Sequence, residues 1–284
     1  MNNHYNKVKR KAKKILFAVL LIVLTVVLLY PVLVMLSVSL KENSDVFTVP
    51  VTLIPEKFAW HNFADVFIKM DTLQAFANSL IVTGGSLVVT MIIAIPCAYA
   101  LSKLKFVLKK PFYYMVLVTQ MFSPVVVIIP LYKLLNAWGL IDTYVGLIAM
   151  NVTFNLAFIV LMLKSNFDNV PTETIEAATI DGCSRFGTLI RVMLPISSLG
   201  IVVSVIYVFT RCWNEFLFAF TFTSSSSMKT IIVKLYEILK NNPAYGIPWE
   251  LVMSGAVIVT IPLITLFMLI RNYITGDATK GAIK

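Results

Sequence analysis

The chain has 284 residues, of which 58% are hydrophobic and 13% charged, against about 45–50% apolar and about 25% charged in ordinary soluble domains. Those proportions exclude a typical soluble protein. The net charge of +10 would suit a nucleic-acid partner only if the basic residues shared one solvent-exposed face, and their distribution along the chain argues otherwise.

The first uncharged run is Ile15 to Leu40, preceded by Lys7, Lys9, Arg10, Lys11, Lys13 and Lys14. It is longer than the ~7–15 residues of a signal-peptide core, and no Ala-x-Ala pattern follows Tyr30-Pro31, so it reads as a retained membrane helix. Further spans are expected at 77–101, 112–134, 144–164, 197–222 and 251–271, each near the ~20 residues that cross hydrocarbon. Lipid obliges each segment to satisfy its own backbone hydrogen bonds. The expected fold class is therefore an all-α integral membrane protein with six transmembrane helices. Pro31, Pro96, Pro124, Pro130 and Pro262 fall within or near the ends of spans, either as tolerated kinks or as hinges.

Basic residues stay on the cytoplasmic side of a membrane. With the N-terminus inside, the inner segments hold sixteen Lys and Arg and the outer segments seven, leaving Arg211 within a span. Both termini are thus expected to be cytoplasmic, and attraction to anionic lipid heads accounts for the basic excess without nucleic acid. The organisation expected is a basic N-terminus (1–14), a first span (15–40), an extracytoplasmic loop (41–72), a core of five spans (73–271) and a cytoplasmic tail (272–284). Cys97, Cys183 and Cys212 are far apart, and His4 and His61 sit in polar flanks. No metal-ligand spacing is present, and the cysteines read as small hydrophobes.

Residues 171–195 are more than a linker. Thr172 is expected as an N-cap, with Glu173 and Glu176 in the first turn at the positive end of the helix dipole. Ile175, Ala178, Thr179 and Gly182 fall on one face, Asp181-Gly182 is a stop signal, and Ser184 can cap a second short helix carrying Arg185 and Phe186 toward Leu194-Pro195. Two short helices meeting at small residues make a compact knob. It either packs against the inner ends of the chain's own helices or docks in a groove of a separate cytoplasmic protein.

The string Glu176-Ala177-Ala178, three residues, Gly182, nine residues, then Val192-x-Leu194-Pro195 resembles the EAA motif of ABC importer permeases, with Val192 in place of Ile. The resemblance extends to Asn78-Ser79, Ala98-Tyr99-Ala100-Leu101-Ser102, Ile129-Pro130-Leu131-Tyr132, Gly139-Leu140-Ile141-Asp142-Thr143, Trp213-Asn214-Glu215-Phe216 and Gly281-Ala282-Ile283-Lys284. It covers a type I importer core from about residue 73 onward. It points to the carbohydrate branch, similar to the shorter maltose-transporter permease.

That resemblance implies one subunit of a heteromeric importer in the bacterial inner membrane, working with a second homologous permease, two ATPase subunits and an extracytoplasmic sugar-binding protein. ATP and Mg would bind the ATPase partners, and this chain, which lacks a G-x-x-x-x-G-K-[ST] loop, would bind no cofactor and would not be an enzyme. Glu176, Ala177, Ala178, Asp181, Gly182, Arg185, Phe186, Leu194 and Pro195 would couple to the ATPase. The tail Lys280, Gly281, Ala282, Ile283 and Lys284 would reach between the ATPase subunits.

Two further groups bear polar side chains at membrane depth, where charges are rare unless paired or lining a wet cavity. Arg211 and Glu215, four apart, are expected on one helix face, either as an internal ion pair or, with Trp213 and Asn214, bordering the translocation path. Asn151 and Asn155 share a face of the fourth span, for hydrogen bonding between helices or for the same path. The cargo expected is a carbohydrate, an oligosaccharide above others. The competing readings are a secondary transporter driven by an ion gradient, which would need an inverted repeat that is not visible, and an ABC permease for a solute such as a glycerophosphodiester.

Overall fold

The computed structural model describes residues 2–50, 52–240 and 246–280, with side chains between residues 13 and 271. Every regular element among the described residues is a helix. In chain order they are α1 (Asn2–Ser39), α2 (His61–Lys69), α3 (Thr72–Lys103), α4 (Lys109–Thr119), α5 (Pro124–Ala137), α6 (Tyr144–Asp168), α7 (Thr172–Ile180) and α8 (Arg185–Thr188). A π turn (Leu189–Met193), α9 (Leu194–Ile196), α10 (Ser198–Trp213), α11 (Leu217–Phe222), α12 (Ile231–Lys240), α13 (Trp249–Lys280) and two short 3-10 turns (Asn43–Asp45 and Ser226–Met228) complete them. Among the described residues four stretches are long and apolar enough to cross a membrane: Lys13–Ser39, Thr72–Lys103, Tyr144–Asp168 and Trp249–Arg271.

Two expected spans are broken. The run 112–134 is not one helix: α4 and α5 meet at 98°. Ser123 is extended, with φ −72° and ψ 130°, and Pro124 opens α5. A residue before proline is pushed out of the α region, and proline fits a helix's first turn because it has no N–H to lose. Pro124 is therefore a start signal, not a kink. The run 197–222 is interrupted after Trp213, and its first part, α10, meets the Arg185–Ile196 segment at 84°. The basic N-terminus belongs to the same helix as the first span, and the backbone of α13 runs on to Lys280.

The chain forms two compact units. In the first, residues 1–69 and 237–259, α1 is exposed from Lys13 to Leu33 and its C-terminal end is tied by polar bonds. The Ser39 carbonyl accepts from Asn62 Nδ2 at 3.1 Å and Ser254 Oγ at 3.0 Å, and Asn43 Nδ2 donates to Glu250 Oε1 at 3.1 Å. Orphan carbonyls at a helix end need such donors.

The second unit, residues 70–236 and 260–284, is built on α3 packed against α6 and α10. Small residues allow close approach: Ala94 and Ala98 are fully buried, and a Cβ on Gly200 would lie 2.4 Å from the Asn166 side chain. Helices in lipid associate through such packing. Leu163, Phe167, Leu189, Met193 and Val208 fill one core, and Leu147, Met150, Phe218 and Phe222 a second. Asn78 fastens the segment before α12, donating to the Ser227 and Lys229 carbonyls at 2.8 and 2.9 Å and accepting from the Tyr144 hydroxyl at 2.7 Å.

Candidate functional site

The knob is an elbow whose corner is closed by its own backbone. The Cys183 N–H donates to the Ala178 carbonyl at 3.0 Å and the Gly182 N–H to the Thr179 carbonyl at 3.1 Å, the Schellman pattern that ends a helix with a left-handed residue. Gly182 supplies that residue, at φ +83°. Ser184 caps α8 as expected, its hydroxyl accepting from the Gly187 N–H at 3.1 Å. Thr172 does not cap α7. It is the helix's first residue, and the preceding Pro171 contributes no side-chain bond.

The elbow has two faces with opposite fates. Ala178, Leu189 and Met193 are buried, and Ile175 and Leu194 pack against the same core. Packing on the chain's own helices therefore holds for this face. Glu176, Ala177, Asp181, Gly182, Arg185 and Pro195 are exposed, and so are Phe186 at 68% and Ile180 at 85%. A Cβ on Gly182 would meet nothing within 4 Å among the described residues, so beyond its φ those residues make no demand for smallness there. Ile180 was not singled out in the sequence, although it stands off the buried face beside the motif.

A cavity of about 520 Å³ gathers Asn151, Asn155, Arg211, Asn214 and Glu215, with the rings of Phe154, Phe216 and Phe218 in its wall. Trp213 does not join it. That side chain is 1% exposed, stacked on Phe209 with centroids 5.8 Å apart and edge-on to Phe76 at 5.5 Å. Nor do Arg211 and Glu215 share a helix face, because α10 stops at Trp213. No ion pair within 4.0 Å joins them among the described residues. The Glu215 carboxylate instead caps α11, accepting from the Phe218 N–H at 2.7 Å and the Ala219 N–H at 3.0 Å. An ionised acceptor suits helix N–H groups that have no intrahelical partner.

Asn151 and Asn155 bond mainly to their own helix, Nδ2 donating to the Leu147 carbonyl at 3.0 Å and the Asn151 carbonyl at 2.7 Å respectively. The contact across helices is Asn155 Nδ2 to Cys212 Sγ, 3.6 Å. Asn151 Oδ1 is buried without a hydrogen-bond partner among the described residues. Such an atom demands a donor.

Asp142 holds the far end of α11. Its N–H donates to the Phe222 carbonyl at 2.8 Å. Its carboxylate accepts from the Ser224 and Ser225 N–H groups at 3.0 and 3.1 Å and from the Ser225 hydroxyl. Burial pulls this carboxyl up, but the serine bonds and the Lys229 charge outweigh burial and hold it below the usual carboxylate value. The four consecutive serines from Ser224 to Ser227 thus begin as a turn anchored on Asp142. The expected tail contacts lie largely out of view: Lys280 ends the described backbone, and Gly281, Ala282, Ile283 and Lys284 lie outside the described residues.

An all-helical membrane fold with a capped elbow between its helices is the architecture of an ABC importer permease. Residues 86–279 match the model of the family described as "Binding-protein-dependent transport system inner membrane component", and the chain belongs to that family. It is accordingly a multi-pass inner-membrane protein. It is 33% identical to the inner membrane ABC transporter permease protein YcjP of Escherichia coli over 97% of this chain and 98% of that one. Against the trehalose/maltose transport system permease protein MalG of Thermococcus litoralis the identity is 32%, over 96% and 97%. A chain from the crystal structure of a bacterial ABC transporter involved in the import of the acidic polysaccharide alginate superimposes with a TM-score of 0.80, covering 93% of this chain and 96% of that one at 21% identity. That likeness shows the fold.

Proposed function

We propose that the chain is one permease half of a heteromeric ATP-driven importer that translocates a carbohydrate, an oligosaccharide above others, delivered by an external solute-binding protein. In this reading α4 with α5 makes one span and α10 with α11 another, giving six, and both termini are cytoplasmic, as the lysine and arginine bias supports. ATP and Mg bind two ATPase partners, and this subunit is not itself a hydrolase. A second, homologous permease completes the path, and Lys280 to Lys284 reach toward the ATPases.

The observation that carries the reading is the uncovered face of the elbow. Glu176, Asp181 and Arg185 stand beside bare Ile180 and Phe186, a mixed apolar and charged surface suited to helix-in-groove docking. Its other face is bolted to the core that α3, α6 and α10 share, so a push on the elbow is delivered to the helices that border the cavity. The cavity of about 520 Å³, with polar groups and rings together, supplies donors, acceptors and stacking faces for a sugar. The unpartnered Asn151 Oδ1 is the acceptor such a solute would satisfy.

The test is Gly182→Ile in the complete transporter reconstituted in liposomes. A β-branched residue in the left-handed region is strained by roughly 1–2 kcal/mol and adds bulk on the uncovered face. Uptake should fall by about tenfold or more, the factor that ~1.4 kcal/mol represents, while membrane insertion is retained and ATP hydrolysis loses its dependence on cargo. Undiminished uptake would sink the coupling role. Uptake by this chain alone under an ion gradient would sink the whole reading.

A further inference from the structure

The turn between α3 and α4 has a composition unlike that of the elbow. Lys103, Lys105, Lys109 and Lys110 fall within it or at its edges, with no acid from 103 to 110. Between them Phe106, Val107 and Leu108 are exposed to 40%, 97% and 66%. Val107 is the most exposed large hydrophobic side chain among the described residues.

Bare apolar side chains normally fold back onto a nearby surface, and here the backbone prevents it. Lys109 Nζ donates to the carbonyls of Ser102 and Leu104, each at 3.1 Å. Lys103 Nζ donates to the Val170 carbonyl at 2.6 Å. These bonds close the turn at its base and leave its tip projecting. Lys105 and Lys110 are exposed and make no ion pair among the described residues.

The turn leaves a crossing helix at Lys103 and enters the first half of a bent apolar pair at Lys109. Only five residues separate them, so the tip cannot stray far from the level where hydrocarbon gives way to headgroups. We propose that residues 105–110 form a lipid-anchoring site. Phe106, Val107 and Leu108 enter the acyl boundary, and Lys105 and Lys110 bind the phosphates of anionic phospholipids. Apolar residues beside lysines are the chemistry of an interfacial anchor, and each lysine near an anionic surface adds to the attraction. A protein partner is the poorer fit, because interface hot spots favour Trp, Tyr and Arg and the turn has none, whereas the elbow mixes both signs of charge with its bare apolar residues. The placement requires only that α3 crosses the membrane, and it stands or falls apart from the transport reading.

The experiment uses the full chain with Cys97, Cys183 and Cys212 replaced by Ala and Val107→Cys carrying an environment-sensitive fluorophore. It is reconstituted in nanodiscs of phosphatidylcholine alone or of phosphatidylcholine mixed with phosphatidylglycerol. Brominated lipid should quench the label, and aqueous iodide should not. The label's blue shift should be larger with phosphatidylglycerol. The preference for phosphatidylglycerol around the protein should drop about fivefold for each of Lys105→Gln and Lys110→Gln, variants that leave the Lys109 bonds intact. In the otherwise native chain, Val107→Asp should abolish the preference for anionic lipid without reducing the amount of folded protein. A label equally open to iodide in both compositions would overturn the proposal, and so would one shielded only after ATPase subunits are added.

Discussion

The elbow at 172–196 and the break at 213–217 both interrupt a helix, and they do so by opposite means. The elbow satisfies its own backbone with local groups, a glycine at φ +83° and a serine cap, which frees its side chains to face outward. The break has a local supply only at its start, where Glu215 caps α11 from three and four residues away. At the finish α11 depends on another segment: the Asp142 N–H meets the Phe222 carbonyl, and the Asp142 carboxylate holds the Ser224 and Ser225 N–H groups just beyond. A corner that is complete in itself can be carried as a rigid unit. A corner assembled from distant groups depends on their staying in register.

The sharpest way to break this comparison is Glu215→Ala. It leaves the Phe218 and Ala219 N–H groups without their acceptor, at a cost of about 1–3 kcal/mol. Thermal unfolding of the detergent-solubilised chain should show a clear loss, larger than for any single elbow change. A smaller effect is expected from Ser184→Ala, about 1 kcal/mol for a lost N-cap, seen as faster hydrogen exchange at Gly187 and not as global unfolding. If the order of these two effects were reversed, the distinction between a self-contained and an assembled corner would fail.

The smallest effect belongs to pH. Because the Asp142 carboxyl is held below its usual value in the folded protein, its contribution is fully present above the unfolded value, about pH 4, and is lost as pH falls through the lower folded value. Exchange of the Ser224 and Ser225 amides should therefore accelerate only below about pH 4. Asp142→Asn should remove most of that acid dependence.

How far each corner was legible follows from the same contrast. The elbow could be read because its signals are adjacent in the chain: Asp181-Gly182 stops one helix and Ser184 starts the next. Thr172 was misplaced, because the proline before it already sets the entry to the helix, and with it Glu176, which falls past the first turn that Glu173 occupies. The breaks at Gln120–Ser123 and Asn214–Phe216 were invisible to hydropathy, which averages over a window and is blind to a backbone turn made of apolar residues. Ser123-Pro124 did carry a local signal, since a residue before proline avoids the α region. Nothing near Glu215 in sequence announced that its carboxylate would turn to backbone N–H groups instead of Arg211, and the partnership of Asp142 with Ser224 and Ser225 joins residues about eighty positions apart.

The π turn at Leu189–Met193 has a mechanical corollary. It accommodates one residue more than an α turn would. Because the turn already absorbs the extra residue, removing one there would let the stretch relax to ordinary winding with little net rotation of what precedes it. Such a deletion would leave Ile180 and Phe186 facing much as they do, whereas a further inserted residue in ordinary winding would turn them by about 100° about the axis. This stretch can therefore lose a residue without changing the direction in which the elbow points.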